Sequence, residues 1–307
     1  MNRIAAIDLG TNSMRLLLCE IEERIFIKKV KEIVTTRIGE NLTQSGYMSE
    51  KAMKKNIETI KYFKNKSKDF GACKTIIIAT SAVRDSINKE DFISKVKNEI
   101  GLDIKVLDGD EEALVGMLGA TYDLSEADNV LILDVGGGST EIILSKNRII
   151  DYSISKNAGA VRMTEEYINN NPIVDLDIEN TKKTLENLFN DVIDRLSGEK
   201  IDKVIIIGGT ATTIAAMYHR MELYKPEKIH HTVLDIDYIN EIFEKLRSVS
   251  VKDRYNIKGL EKERADIIPM GIYIIKFLMT MLGVKEITVS ENDNLEGVII
   301  KYSGFFG

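Results

Sequence analysis

The sequence predicts an α/β protein built from two related halves, and three observations carry that prediction. One eleven-residue pattern occurs twice, 126 positions apart: Asp8-Leu9-Gly10-Thr11-Asn12-Ser13-Met14-Arg15-Leu16-Leu17-Leu18 and Asp134-Val135-Gly136-Gly137-Gly138-Ser139-Thr140-Glu141-Ile142-Ile143-Leu144. An apolar run precedes each copy, Ile4-Ala5-Ala6-Ile7 and Val130-Leu131-Ile132-Leu133, so each reads as strand, tight polar turn, strand. Strand-like and helix-like runs then alternate along both halves, as in α/β chains. Two such turns in one chain point to two half-molecules facing one ligand between them.

The first strand ends at Asp8, and Leu16 to Ile21 and Phe26 to Lys31 continue as antiparallel strands because no helix intervenes. Ser49 opens a helix that Gly71 stops; Met53, Ile57, Ile60 and Phe63 form its buried face. Its lysines (Lys54, Lys55, Lys61, Lys64, Lys66, Lys68) read as a solvated face, with a track for polyphosphate as the alternative. Thr75 to Ala79 and Ile104 to Leu107 are short strands around a helix near Glu90 to Ile100, and Glu111 to Tyr122 is the next helix. The polar stretch Asp123 to Asn129 holds the boundary, giving domains 1–125 and 126–307, with the last helix free to pack back on the first domain.

The second half repeats the programme with strands 130–134, 142–144 and 149–154 and helices near 160–170 and 178–196. Val204 to Ile207 is a strand entering Gly208-Gly209-Thr210-Ala211-Thr212-Thr213 and a helix. Helices near 235–248 and 263–282, a strand at 286–290 and a helix from about 294 complete it. A long loop, Tyr218 to Val233, holds all three histidines, His219, His230 and His231.

At 307 residues the chain suits two ordinary domains. A net charge of −6 leaves no basic face of the kind nucleic acid requires, so a polyanionic ligand must be drawn by a local site. No apolar stretch reaches the length of a membrane span, and Met1-Asn2-Arg3 runs straight into a strand with no secretory leader. Cys19 and Cys73 lack CxxC spacing and read as reduced core or near-core thiols; a cytoplasmic location is the default. The histidines form neither HExxH nor any similar spacing, which argues against zinc.

The turns point to phosphate and a divalent cation. Gly10 and Gly136-Gly137-Gly138 carry no Cβ, so main-chain N–H groups can approach an anion, and Thr11, Asn12, Ser13, Ser139 and Thr140 add side-chain donors. Asp8 and Asp134 end buried strands beside these cradles, an arrangement that makes sense with a cation between carboxylate and phosphate. Hard oxygen ligands select Mg²⁺, with Mn²⁺ as substitute, and Glu141 offers another oxygen from the returning strand. Glycine turns also join hairpins for purely conformational reasons; two in register after buried strands favour function. A Walker loop is excluded, because no Gly-Lys-Ser/Thr occurs and strands follow both turns.

This paired arrangement resembles the actin-like ATPase and sugar kinase superfamily, and more narrowly the exopolyphosphatase/guanosine pentaphosphate phosphatase family. Besides the two turns, the resemblance rests on Thr36-Arg37-Ile38-Gly39-Glu40-Asn41-Leu42, Ala79-Thr80-Ser81-Ala82-Val83-Arg84-Asp85, Gly109-Asp110-Glu111-Glu112-Ala113, Gly208 to Thr213 and Arg264-Ala265-Asp266-Ile267-Ile268-Pro269-Met270-Gly271. It implies two ribonuclease H-like domains with a cleft between them, in a short form without the C-terminal helical domain of longer members. It implies that Arg84, expected in a polar loop, binds the scissile phosphate; an ion pair with Asp85 is the structural alternative. It implies a catalytic base in the Glu-Glu-Ala element, Glu112 with Glu111 as alternative, and an arginine near the polyanion, Arg264. Arg15 stands at the register position of Glu141 and faces either the cleft or a structural partner. Where the family tends to read His-Gly this chain has His230-His231-Thr232, and Ser290 to Gly297 lacks a family arginine.

The expected protein is therefore a hydrolase of a terminal phosphoanhydride, with Mg²⁺ held by Asp134, Glu141 and Asp8. Inorganic polyphosphate is the first substrate and guanosine pentaphosphate the second; no nucleic acid or membrane partner is implied, and a homodimer is compatible. A kinase or ATPase of the same fold and a non-catalytic phosphate or nucleotide sensor are the rivals.

Overall fold

The structure is a computed structural model that describes residues 2–124 and 129–306. In chain order, the first part holds β1 (Asn2–Leu9), β2 (Ser13–Glu22), β3 (Ile25–Thr35), α1 (Leu42–Ser45), α2 (Glu50–Phe70), β4 (Lys74–Ala79), α3 (Ser81–Asp85), α4 (Lys89–Ile100), β5 (Ile104–Val106) and α5 (Gly109–Ala120). There follow β6 (Asn129–Val135), β7 (Thr140–Lys146), β8 (Ile149–Lys156), α6 (Ala160–Tyr167), α7 (Asp175–Leu196), β9 (Lys203–Ile207), α8 (Gly208–Tyr218), α9 (Pro226–Ile229), β10 (Val233–Asp235), α10 (Ile236–Arg247), α11 (Val251–Arg254), α12 (Ile268–Met281), β11 (Glu286–Val289) and α13 (Asn294–Tyr302).

Two compact units result: Met1–Tyr122 with Asn292–Gly307, and Asp123–Glu291. The last helix thus belongs to the first unit. The expected join at 125/126 lies outside the described residues.

In the first unit the sheet order is β3-β2-β1-β4-β5, with β1 antiparallel to β2 and parallel to β4. Alternate residues of β1 serve opposite faces. Ala5, Ile7 and Leu9 meet Met53, Ile57, Ile60 and Phe63 of α2 and Phe92 and Val96 of α4. Ile4 and Ala6 meet Val115 of α5 and Leu295, Val298 and Ile299 of α13. α2 forms as expected: the Ser49 hydroxyl caps the Ala52 N–H at 3.1 Å, and Gly71 ends the helix in the left-handed region. Its lysines are largely tied down, with Lys61 on Glu99, Lys66 on Glu32 and Lys55 on the Thr35 carbonyl. α5 and α13 approach so closely that a Cβ on Gly297 would lie 1.7 Å from the Val115 carbonyl oxygen.

The second unit repeats the topology as β8-β7-β6-β9-β11, with β10 added antiparallel at the β11 edge. Leu131, Leu133 and Val135 of β6 pack with α7, α8, α10 and α12 into one core. Several short elements were absent from the sequence reading: α1, α3, α9, α11 and β10. Arg84 accordingly sits on a helical turn, not in a loop. Cys19 is buried, and its thiol is pushed up to about 12 by burial. Cys73 is exposed, because it falls in the turn between α2 and β4. No helix among the described residues is long and apolar enough to cross a membrane.

Candidate functional site

The two turns share one local geometry. Gly10 N–H donates to the Ser13 carbonyl at 3.2 Å, and Gly136 N–H to the Ser139 carbonyl at 3.0 Å. In each case neighbouring chain consumes the carbonyls. The Thr11 carbonyl accepts from Gly39 N–H and the Asn12 carbonyl from Thr36 and Arg37 N–H. In the second turn, the Gly136 carbonyl accepts from Ala160 N–H and the Gly137 carbonyl from Val161 and Arg162 N–H, the first turn of α6. Among the described residues the N–H groups of Thr11, Asn12, Gly137 and Gly138 donate to none of the main-chain acceptors. Turns held by their carbonyls with N–H groups spare are the form an anion cradle takes.

Side chains complete the turns. The Thr11 and Ser81 hydroxyls lie 3.0 Å apart, Asn12 Nδ2 donates to Ser13 Oγ at 3.2 Å, and Thr140 Oγ1 donates to the Ala158 carbonyl. Ser139 is buried. Two residues that no motif marked hold the second turn. Arg162 Nε donates to the Gly138 carbonyl at 2.9 Å, and a Cβ on Gly159 would lie 2.4 Å from the Gly137 oxygen. The small-residue run Ala158-Gly159-Ala160 was the available signal.

The acids of the two halves are treated differently. On β1 and β2, Asp8 stands opposite Arg15; on β6 and β7, Asp134 stands opposite Glu141. Arg15 donates to Asp8 Oδ2, from Nε at 3.1 Å, and also to Asp293, so it is a structural partner within the first unit. Among the described residues Asp8 Oδ1 is buried without a hydrogen-bond partner, and burial raises the Asp8 carboxyl above its ordinary value despite the Arg15 charge. Asp8, expected among the metal ligands, therefore already has a cation on one oxygen.

Asp134 and Glu141 are both buried, and side chains directly opposite on antiparallel strands have Cβ atoms about 4.5–5.5 Å apart. Two carboxylates so placed offer their oxygens to one neighbourhood. Glu141 Oε1 accepts from Ser155 Oγ at 2.6 Å. Gly208 has φ +84, and a Cβ there would lie 2.5 Å from Asp134 Oδ1, so glycine leaves that oxygen its space. This donor set fits a hard divalent cation. Arg264 is buried over Gly209, with Nε donating to Glu261 Oε2 at 3.2 Å.

The two glutamates of the Glu-Glu-Ala element have different surroundings. Adjacent helical residues diverge by about 100°. Glu111 faces Lys105 at 2.7 Å and the Tyr302 hydroxyl, and the Lys105 hydrogen bond holds its carboxyl below the usual range. Glu112 is 5% exposed, and its Oε2 accepts from Arg84 Nη1 at 2.7 Å. Arg84 also donates to the Leu107 carbonyl, while Asp85 is farther, at 3.6 Å. The segment Ser290 to Gly297 is taken up structurally: Asp293 pairs with Arg15, and the buried Glu296 with Lys29 and Lys31.

Two ribonuclease H-like sheets, each opening into a glycine turn beside a strand-end aspartate, define a protein of the actin-like ATPase fold. The sequence matches the Ppx/GppA phosphatase family over residues 20–304, and the chain belongs to that family. It is 35% identical over 309 residues to the bifunctional 3-dehydroquinate synthase/phosphatase of Fusobacterium nucleatum; the match covers 97% of this chain and 46%, about half, of that protein. It is 26% identical to exopolyphosphatase 2 of Mycobacterium tuberculosis, covering 99% of both chains. Among solved structures, an exopolyphosphatase from Cytophaga hutchinsonii aligns with a TM-score of 0.90 at 27% identity, over 97% of this chain and 96% of that one.

Proposed function

We propose that the chain is an Mg²⁺-dependent exopolyphosphatase that hydrolyses the terminal phosphoanhydride of inorganic polyphosphate and releases orthophosphate. The observation that carries this reading is the buried Asp134–Glu141 pair beside a turn whose carbonyls are occupied and whose N–H groups are spare. The exopolyphosphatase names of two relatives support the choice of substrate.

Asp134 and Glu141 would hold the metal. When bound, Mg²⁺ supplies positive charge for the phosphoryl oxygens. The N–H groups of Gly137 and Gly138, with Ser139, receive the substrate's phosphate oxygens, and Arg264 adds charge. Arg84 binds the terminal phosphate, for which a guanidinium is suited. Glu112 accepts a proton from the attacking water as its oxygen bonds to phosphorus. The bridging P–O bond breaks, and the shortened chain leaves with the electron pair. Such transfer is mostly positioning and charge stabilisation, in keeping with a donor set of glycine amides and oxygens.

The test is orthophosphate release from long-chain polyphosphate, short-chain polyphosphate and guanosine pentaphosphate, each with and without Mg²⁺. Release from polyphosphate that requires Mg²⁺ is expected. Faster release from guanosine pentaphosphate would reassign the substrate; binding without release from any would make the protein a sensor.

A further inference from the structure

The loop before β10 carries a cluster that the phosphatase reading does not use. We propose that Asp123, His230 and His231 form a second metal site, which takes a borderline divalent cation of the Zn²⁺, Co²⁺ and Ni²⁺ class. Among the described residues this is the group in which three metal-ligating side chains converge, with ligand atoms within 4.8 Å of one another.

The backbone is shaped for convergence. Successive side chains on an extended chain point apart. Here His231 is left-handed, with φ 64, and the two imidazoles lie side by side with centroids 3.8 Å apart. Both Nε2 atoms reach the same oxygen, Asp123 Oδ2, at 2.6 Å from His230 and 3.2 Å from His231. The His231 side chain is 55% exposed, which leaves room for water ligands. Two imidazoles and one carboxylate suit a borderline cation, whereas the all-oxygen pair Asp134 and Glu141 suits Mg²⁺.

Coordination has a defined consequence at His230. Its Nδ1 accepts the Glu291 main-chain N–H at 3.1 Å, so the proton of the neutral ring sits on Nε2 and is given to Asp123. A metal on Nε2 moves that proton to Nδ1, keeping the ring neutral, and the Nδ1–H form cannot accept from Glu291. Metal and Glu291 amide are therefore alternatives. The Glu291 side chain is retained separately, by the Tyr224 hydroxyl at 2.7 Å.

The experiment is a Co²⁺ titration of the full chain carrying Cys73→Ser, in excess Mg²⁺, which removes the exposed thiol and keeps Asp134 and Glu141 occupied. Visible d–d absorption saturating at one equivalent is expected, with faster deuterium exchange at the Glu291 amide. Asp123→Asn and His231→Asn should each weaken binding about tenfold or more. Asparagine tolerates the left-handed backbone at 231, and metal-free melting checks that each variant is folded. Unchanged affinity in both folded variants, or a Glu291 amide whose exchange does not respond to Co²⁺, would overturn the proposal.

Discussion

Replacing Glu112 by glutamine tests the proposed base with the least structural disturbance. The side chain keeps its volume in a site where it is 5% exposed, and the amide oxygen can still accept from Arg84 Nη1, now 2.7 Å from Oε2. Exchanging the ion pair for a hydrogen bond in which only the guanidinium is charged costs about 1 kcal/mol of stability. The larger loss is kinetic: an amide cannot take the proton of the attacking water. General-base catalysis contributes roughly 10²–10⁴-fold, or about 2.7–5.4 kcal/mol of barrier. Steady-state orthophosphate release should therefore show kcat reduced by about 10²–10⁴ with KM changed by less than about threefold, since phosphate contacts persist. A melting curve run alongside separates catalysis from unfolding. A folded Glu112→Gln protein with wild-type kcat would refute the assignment.

Glu111→Gln should leave kcat unchanged. Its ion pair with Lys105 is a surface one, worth about 0–1 kcal/mol. Because Lys105 holds the folded Glu111 carboxyl low, that contribution is present at neutral pH and fades as pH falls through the lowered value; wild type and variant should melt alike in acid. Gly208→Ala places a methyl 2.5 Å from Asp134 Oδ1 at φ +84, so stability should drop by about 1–3 kcal/mol and the Mg²⁺ requirement for turnover should rise, read by denaturant unfolding and an Mg²⁺ titration. Asp134→Asn removes one carboxylate of the proposed metal pair; orthophosphate release across an Mg²⁺ titration should show turnover lower by about 10²-fold or more.

The strands and long helices were legible because their signals are local. The apolar run of β1 and the Ser49 and Gly71 caps of α2 each lie within a few residues of what they specify. The turns were legible as a repeat, and the register placed Arg15 and Glu141 at one position. Which partner that position finds depends on packing: Arg15 meets Asp293, 278 residues away, and no local pattern encodes that. The different partners of Glu111 and Glu112 depend on the helix phase relative to Lys105 and Arg84. α3 was read as loop because Thr80-Ser81-Ala82-Val83 has low helix propensity and only one turn to show. Likewise the histidines showed no ligand spacing because their third partner, Asp123, is 107 residues from His230.

The strand β1 begins the chain's first sheet, yet the apolar face formed by Ile4, Ala6, Leu17 and Val115 is finished by Leu295, Val298 and Ile299. During synthesis, residues 123–291 must leave the ribosome before that cover arrives. The first unit therefore waits, oily on one side, while its neighbour can already complete its own core. A nascent chain halted near residue 291 should recruit holdase chaperones until α13 emerges and shuts that face.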